Sequence, residues 1–263
     1  RSQQASFGDV NAAVFAGGHL APNTNLKATE EWNGISWVNA CDLPSADFRD
    51  SSNNIGSSTA GMIVGSSSPF NGTNLEYTKE FISPYTTCVW TSGAGMITPR
   101  SQGAGGGTQN AALVAAGGTP TRVSCTEEWD GNQWSAGGAL SITRSALAGG
   151  GTQNAGWVAG GEPAGGTATE EYNGTSWASG GSTPTNRGSG GAAGSLSATL
   201  AFGGVQPSNP TNTIVEYNGS SWTGGGNMII GRAYYIGNAG TQNAAKAFGG
   251  KTPSASVATE DYN

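Results

Sequence analysis

The sequence predicts an all-β protein: a β-propeller of six blades, each with four antiparallel strands, the last blade being incomplete. Glycine accounts for 45 of the 263 residues, and helix-favouring blocks of Leu, Lys and Glu are almost absent. An acidic residue followed by an aromatic recurs about every 45 residues, which indicates repeated supersecondary units. These pairs are Glu31-Trp32, Glu80-Phe81, Glu128-Trp129, Glu171-Tyr172, Glu216-Tyr217 and Asp261-Tyr262.

An arginine opens each repeat, and each repeat is predicted to form one blade. The opening residues are Arg1, Arg49, Arg100, Arg144, Arg187 and Arg232. The single propeller domain, 1–263, therefore divides into blades at about 1–48, 49–99, 100–143, 144–186, 187–231 and 232–263.

The first two strands of each blade follow from small and apolar residues. A glycine-rich segment such as 103–107 is predicted to be the innermost strand, since only small residues fit where blades converge. A Thr-Gln-Asn turn leads to an apolar run such as 111–116, which is typical of a strand covered on both faces. Paired glycines close this run at 17–18, 117–118, 160–161, 203–204 and 249–250.

The third strand carries the acidic-aromatic pair, and a hairpin joins it to the fourth. Asn-Gly or Asp-Gly, as at 173–174, is the strongest short hairpin signal. The fourth strand is marked by Trp37, Trp90, Trp134, Trp177 or Trp222. Four antiparallel strands repeated radially describe a propeller. The second unit departs furthest, with Ile-Ser-Pro-Tyr at 82–85 where the hairpin turn is expected.

The sixth unit stops at Asn263, where its hairpin turn is expected to begin. An uncovered edge strand tends to pair with another strand, so we expect an oligomeric partner or a continuation of the chain to cover this edge. Lys246 stands where other units have apolar residues, and we expect it to extend towards the rim.

The order Arg, glycine-rich strand, apolar strand, Gly-Gly, Glu-Tyr, Asn-Gly, Trp resembles the Kelch repeat along the whole chain. The segments 149–155 and 168–177 more narrowly resemble repeats encoded by marine bacteriophages, notably those of cyanobacteria. That resemblance implies a virion structural or tail-fibre-like component. Kelch propellers otherwise serve mostly as protein-binding platforms, so the fold alone does not select a function.

Charge and cysteine content exclude some partners and leave others open. Eleven basic and seventeen acidic residues give a net charge of −6, which disfavours nucleic acid and anionic membrane surfaces as partners. No apolar run approaches the roughly 20 residues of a membrane span, so we expect no membrane insertion. Cys41, Cys88 and Cys125 form no CxxC pair, and buried thiols are favoured over one bridge with one free thiol.

Catalytic chemistry finds little support in the sequence. The single histidine, His19, cannot build a paired-histidine copper site, and no GxSxG motif accompanies it. Neighbouring carboxylates on a strand point to opposite faces, and we expect the second of each pair to meet the repeated arginine or backbone donors. We therefore predict a non-enzyme with no catalytic residues, metal or cofactor.

The loops between the paired glycines and the third strand vary in length and content, as recognition surfaces on a fixed scaffold do. Amides and aromatics there could bind sugars or protein. The degenerate second blade is the first place where we expect a contact. The residues predicted to be exposed on these loops and to bind a ligand or partner are His19, Asn23, Asn25, Lys27, Phe70, Asn71, Asn74, Tyr77, Arg122, Gln206 and Asn209.

These observations predict a non-enzymatic phage virion protein, of a tail fibre, spike or decoration, located in the extracellular particle. Its expected partners are other virion proteins or a host-surface glycan or protein. A secreted or surface lectin-like bacterial adhesin is the alternative. A propeller hydrolase or lyase is disfavoured, because it needs ionisable residues in a central channel where this sequence mostly offers Gly, Ala and Ser.

Overall fold

The computed structural model describes residues 4–20, 24–46, 55–67, 70–82, 85–163, 166–206, 209–234, 236–252 and 254–263. Six antiparallel sheets follow one another along the chain as the blades of a β-propeller. The innermost strands contact each other in sequence around the axis, and the last contacts the first, so the ring is closed. In the described part of the chain, no helix is long and apolar enough to cross a membrane.

Among the described residues, the first three blades and their ribbons contain sixteen strands, of which twelve form the blades and four form the small ribbons. Blade 1 and its ribbon contain β1 (Ala5–Gly8), β2 (Ala13–Ala16), β3 (His19–Leu20), β4 (Thr24–Asn25), β5 (Thr29–Trp32) and β6 (Trp37–Asn39). Blade 2 contains β7 (Gly56–Ser57), β8 (Ala60–Ser67), β9 (Phe70–Ile82) and β10 (Tyr85–Gly93). Blade 3 and its ribbon contain β11 (Ala104–Thr108), β12 (Ala111–Ala115), β13 (Gly118–Thr119), β14 (Thr121–Arg122), β15 (Thr126–Trp129) and β16 (Trp134–Ala136).

The remaining blades repeat this order, and the sixth sheet has three strands among the described residues. Blade 4 contains β17 (Ala148–Thr152), β18 (Ala155–Ala159), β19 (Thr169–Tyr172) and β20 (Trp177–Ser179). Blade 5 and its ribbon contain β21 (Gly191–Ser195), β22 (Ala198–Phe202), β23 (Val205–Gln206), β24 (Asn209–Pro210), β25 (Thr213–Tyr217) and β26 (Trp222–Asn227). Blade 6 and its ribbon contain β27 (Gly237–Thr241), β28 (Ala244–Phe248), β29 (Lys251–Thr252), β30 (Ser254–Ala255) and β31 (Thr259–Tyr262).

The core lies between adjacent blades. The second strands are buried almost throughout, as their continuous apolar runs predict. The fourth-strand tryptophans pack between blades: Trp177 Nε1 donates to Thr126 Oγ1 (2.9 Å) and to the carbonyl of Gly138 (3.0 Å) in the preceding blade. The predicted six-bladed, all-β architecture is confirmed.

In blade 2, the predicted position of the acidic-aromatic pair is wrong. Tyr77, and not Phe81, pairs opposite Trp90, as Tyr172 pairs opposite Trp177. The aromatic belonging to the blade core therefore comes four residues earlier than predicted. The β9–β10 hairpin then continues past this pair to Ile82 and Tyr85, so it is longer than its counterparts.

The paired glycines join one blade to the next. The amide of Gly161 donates to the carbonyl of Arg187 (2.8 Å), which opens the following blade. A Cβ on Gly160 would overlap that same carbonyl oxygen, and Gly160 has a φ of 70°, so glycine is required here on both counts. In blade 3 this pair is Ala116 and Gly117, with φ of 59° and 105°, one residue before the predicted glycines 117–118.

The cysteines also differ from the favoured prediction. Cys41 and Cys88 form a disulfide that joins blades 1 and 2, with their Cα atoms 5.8 Å apart. Cys125 is a free thiol, and its Sγ accepts a hydrogen bond from Arg100 (3.0 Å). Sequence spacing could not predict this bridge, because the two residues occupy different positions in their repeats.

Candidate functional site

The variable loops form one face of the propeller, and in the part of the chain that the structure describes four of them fold into two-stranded ribbons. The ribbons are β3–β4, β13–β14, β23–β24 and β29–β30. Backbone bridges tie three of these ribbons to the opening segment of their own blade: Ser101 with Gly118, Gly188 with Val205, and Ala233 with Lys251. We call this surface the loop face. Its backbone is held by hydrogen bonds while its side chains differ from blade to blade.

Three of the predicted residues from blade 1 lie on or beside its ribbon. His19 on β3 pairs with Asn25 on β4. Lys27 is exposed, and its Nζ donates to the carbonyl of Pro44 (2.9 Å). Asn23 lies outside the described residues. The structure therefore brings His19, Asn25 and Lys27 into one neighbourhood.

Arg122 and Gln206 lie at junctions between blades. Arg122 Nε donates to Ser145 Oγ (3.1 Å) at the start of blade 4, and its guanidinium lies 3.8 Å from the Glu162 carboxylate. Gln206 Nε2 donates to Thr185 Oγ1 (2.8 Å), which precedes blade 5. Asn209 is exposed on β24.

In blade 2, the predicted exposure of Asn74 and Tyr77 is wrong. Asn74 is 1% exposed and Tyr77 is not exposed at all. Both belong to β9, where Tyr77 packs against Phe7 and Trp90. Register explains the error: both residues fall in the part of β9 that pairs with β8 inside the blade, and not in a loop. Phe70 and Asn71 begin β9, and only their backbone is described.

A cavity of about 330 Å³ lies on the loop face between blades 4 and 5. Glu162, Asn186, Arg187 and Val205 contribute to its lining. Arg187 differs from Arg100, Arg144 and Arg232, because Val215 stands at the position where their blades carry the carboxylate partner. Burial lowers the pKa of Arg187 to about 10. This cavity was not predicted from the sequence. The sequence does contain one indication of it, because Val215, and not an acidic residue, precedes Glu216.

The paired carboxylates have structural partners, but the assignment predicted from the sequence is reversed. The first carboxylate, and not the second, meets the repeated arginine: Arg144 donates to Glu170 (2.8 Å), and both side chains are buried. Arg100 pairs in the same way with Glu127. Arg232 pairs with Glu260.

The second carboxylate accepts a hydrogen bond from the tyrosine of the following blade. Tyr172 Oη donates to Glu128 (2.6 Å), and burial together with this bond raises the pKa of Tyr172 to about 12. The same inter-blade bond joins Tyr77 to Glu31, Tyr217 to Glu171 and Tyr262 to Glu216. In this way the first carboxylate of a pair links segments within its own blade, and the second links that blade to the next one.

Where the following blade has tryptophan, the acidic residue needs another partner. Asp261 belongs to blade 6, and the next blade around the ring is blade 1, which has Trp32 where other blades have tyrosine. Lys246 pairs with Asp261, and its Nζ lies 4.6 Å from the Trp32 ring centre. Lys246 is only 5% exposed, so the predicted extension towards the rim is wrong. A buried cation paired with a carboxylate and an aromatic face replaces the Tyr–Glu bond.

Glu76 corresponds in its repeat to Glu128, and the next blade has Trp129, which has no hydroxyl to donate, at the position of Tyr172. Burial raises the pKa of Glu76 above its ordinary value. Glu76 therefore holds its proton more tightly in the folded state than in the unfolded state. For this reason the free energy of unfolding falls as the pH rises from the ordinary pKa of glutamate through the raised pKa of Glu76. We expect Glu76→Gln to unfold at higher urea concentration than wild type at pH 7, with the difference vanishing near pH 4.

Glu128→Gln is the matched control, because Glu128 holds the equivalent position and accepts the Tyr172 hydroxyl. It is expected to be less stable than wild type at pH 7, since a hydrogen bond to a charged group is weakened. Urea unfolding curves between pH 4 and pH 8 measure both effects. A lower stability of Glu76→Gln at pH 7 would contradict the role assigned to burial.

Within the residues that the structure describes, no group of three or more His, Cys, Asp or Glu side chains is placed to hold a metal ion. No protein-family model matches this chain, and no curated protein matches it.

Proposed function

We propose that this protein is a non-enzymatic structural protein of a bacteriophage virion, from a tail fibre, spike or decoration, and that its propeller is a rigid binding platform. The loop face would contact the host surface or a neighbouring virion protein. The resemblance of the repeats to Kelch units of marine phages supports the virion assignment. Residues of the described innermost strands are Ala, Gly, Ser, Thr, Asn and Phe, none of which is ionisable.

The observation that carries the proposal is the construction of the loop face. Backbone bridges hold the ribbons of blades 3, 5 and 6 at the same place in each blade, while their sequences differ. A fixed backbone loses little conformational entropy when a ligand binds, and variable side chains on it provide specificity. The recurring Thr-Gln-Asn and Asn-Gly turns lie on the opposite face, where Gln153 donates to the preceding blade (2.8 Å to the Trp129 carbonyl).

The side chains of the loop face suit a polar ligand. Lys27, Arg122 and Asn209 are exposed there and provide several hydrogen-bond donors. The cavity beside Arg187 adds a concave surface of about 330 Å³. Sugar hydroxyls and acidic or amide groups of a protein surface could both accept these hydrogen bonds.

A secreted bacterial adhesin is the second candidate, and the Cys41–Cys88 disulfide favours it. Disulfides persist in oxidising environments outside the cell, whereas a phage protein folds in the reducing cytoplasm of its host. The two candidates therefore differ in where the chain folds and in whether it enters a particle.

The experiment that separates them is cryo-electron microscopy, with mass spectrometry, of particles purified from the source. We expect this polypeptide in the particle, with the loop face directed to solvent or against another virion protein. Absence from every particle would overturn the virion assignment, and secretion of the chain with its disulfide formed would support the adhesin.

A matched pair of double variants tests the loop face itself. Arg122→Ala with Asn209→Ala removes two exposed side chains of this face, and we expect binding to host cells or virion partners to fall at least tenfold. Asn132→Ala with Thr175→Ala changes exposed turns on the opposite face and is expected to leave binding unchanged. Both double variants are expected to unfold at the same midpoint as wild type, since substitutions of exposed residues change stability by about 0.5 kcal/mol or less. Equal losses of binding in both pairs would contradict the assignment.

A further inference from the structure

Blade 2 has a longer outer strand than the other four-stranded blades. β10 (Tyr85–Gly93) contains nine residues, whereas β6, β16 and β20 contain three each and β26 contains six. β10 ends the sheet order of its blade, and among the described residues no strand pairs with its outer side. The amides and carbonyls of alternate residues along β10 therefore point away from β9 without a partner strand.

The extra length of β10 comes from its hairpin with β9. In blade 4 the turn follows directly on the Tyr172–Trp177 pair. In blade 2 five further residue pairs, ending at Ile82–Tyr85, follow the equivalent pair of aromatics. Residues 85–93 pair in succession with 82–74, with no shift in register. The outer edge of blade 2 is therefore both long and regular.

Contacts with blade 1 hold this hairpin in place. Cys88 in β10 is joined to Cys41 of blade 1 by the disulfide. Lys79 in β9 pairs with Glu31 of blade 1 (2.5 Å). Trp90 Nε1 donates to the carbonyl of Cys41 (3.0 Å). An edge fixed in this way loses little conformational entropy when another strand pairs with it.

The edge lacks the features by which proteins prevent strand pairing, which are charge, proline, bulges and short length. Residues 85–93 are Tyr-Thr-Thr-Cys-Val-Trp-Thr-Ser-Gly, with no charge and no proline. Thr87, Val89 and Thr91 are exposed, and threonine and valine favour strands. By contrast, β26 contains three consecutive glycines, and its pairing with β25 has a shift in register. β10 is therefore the outer strand of the four-stranded blades that is best suited to pairing.

A second copy of this chain fits this edge. Two identical strands pair antiparallel about a twofold axis, which is the commonest symmetry of soluble oligomers. Because β10 carries no charge, no like charges face each other across such a pair, although each copy has a net charge of −6. The edge also offers no charge by which a partner of opposite charge could be recognised. These two points favour a copy of the same neutral strand over a strand of a charged partner.

The charged residues of the hairpin are too far from the edge to oppose this pairing. They lie on β9, and two β9 strands would be separated by both copies of β10. Three strand spacings amount to about 14 Å. That distance exceeds the screening length of about 8 Å at physiological ionic strength.

We propose that this protein forms a dimer by antiparallel pairing of β10 with β10 of a second copy, which joins the two second blades into one eight-stranded sheet. The twofold axis lies close to Val89, at the middle of the exposed stretch 87–91. The contact lies on the rim of the propeller, at the outermost strand of a blade. It is therefore independent of the ligand of the loop face.

Charge variants at Val89 test the dimer. Sedimentation equilibrium over a range of protein concentrations measures the dimer dissociation constant. Val89→Lys and Val89→Glu each place two like charges near the twofold axis, and each is expected to raise this constant at least tenfold. An equimolar mixture of the two variants is expected to restore dimers, because opposite charges then meet across the pair. This rescue distinguishes loss of pairing from loss of fold.

Val38→Lys is the matched control, because Val38 and Val89 are 44% and 46% exposed and both lie on outer strands, but β6 has only three residues. This control is expected to leave the dissociation constant unchanged. Hydrogen exchange locates the contact: the amides of β10 are expected to exchange more slowly at concentrations where the dimer forms than in dilute solution.

Three results would each overturn the proposal: a chain that stays monomeric at every concentration, a dimer that Val89→Lys leaves intact, or equal weakening by Val38→Lys. A dimer that persists in Val89→Lys uses another surface, such as the edge of blade 6. A monomer whose β10 is protected by a strand of a different protein, in a complex from the natural source, would also contradict pairing between two copies.

Discussion

Arg144→Ala is expected to lower the free energy of unfolding by about 3–5 kcal/mol, because it leaves the buried Glu170 carboxylate without its cation. Arg144 also donates to the carbonyls of Gly160 (2.8 Å) and Ala168 (2.9 Å). The substitution therefore leaves two carbonyls and a charge without this donor in a buried site. Urea unfolding at pH 7 measures the loss.

Arg122→Ala is the matched control, because Arg122 and its partner Glu162 are about half exposed and 3.8 Å apart. Such surface pairs contribute about 0–1 kcal/mol. Arg144→Lys keeps the charge but not the planar fork, and we expect it to be nearly as unstable as the alanine variant. A loss below 1 kcal/mol in Arg144→Ala would show that this ion pair does not hold the blade together.

Trp177→Ala is expected to cost about 3–5 kcal/mol, since it opens a cavity between blades 3 and 4. The indole packs on Tyr172, with ring centres 4.9 Å apart. Its Nε1 donates to Thr126 and Gly138 in the preceding blade. Removing it therefore removes both apolar contact and hydrogen bonds across one inter-blade junction, and thermal or urea unfolding reports the change.

Ile35→Ala serves as the control, because Ile35 is 87% exposed and its loss leaves no cavity. Its effect is expected to be about 0.5 kcal/mol or less. Trp177→Phe retains an aromatic ring but not the donor, so it should fall between wild type and Trp177→Ala. A change below 1 kcal/mol in Trp177→Ala would contradict the wedge role of this residue.

Blade 2 shows why the repeat could be read from sequence while its register could not. Two acidic-aromatic pairs, Glu76-Tyr77 and Glu80-Phe81, stand within six residues, and spacing alone favoured the second. Packing selects the first, because Tyr77 fits between Phe7 and Trp90. The predicted exposure of Asn74 and Tyr77 depended on this register and failed with it.

The candidate site was predicted only as a surface. Variation in loop length indicated the loop face, and the structure places Lys27, Arg122 and Asn209 there as exposed side chains. The cavity at Arg187 was not predicted, since it requires segments from blades 4 and 5 to meet. Its binding role, like that of the individual residues, stays a prediction.

The sequence by itself determined the number of blades, the order of strands, the buried second strands and the inter-blade tryptophans. These features are encoded locally, by runs of small or apolar residues and by turn sequences that recur at each repeat. Only the tertiary structure decided which carboxylate meets Arg144, which cysteines join, and how Lys246 is buried. Each of these depends on which side of a strand faces a neighbouring blade, and that direction is set by packing between segments distant in the chain.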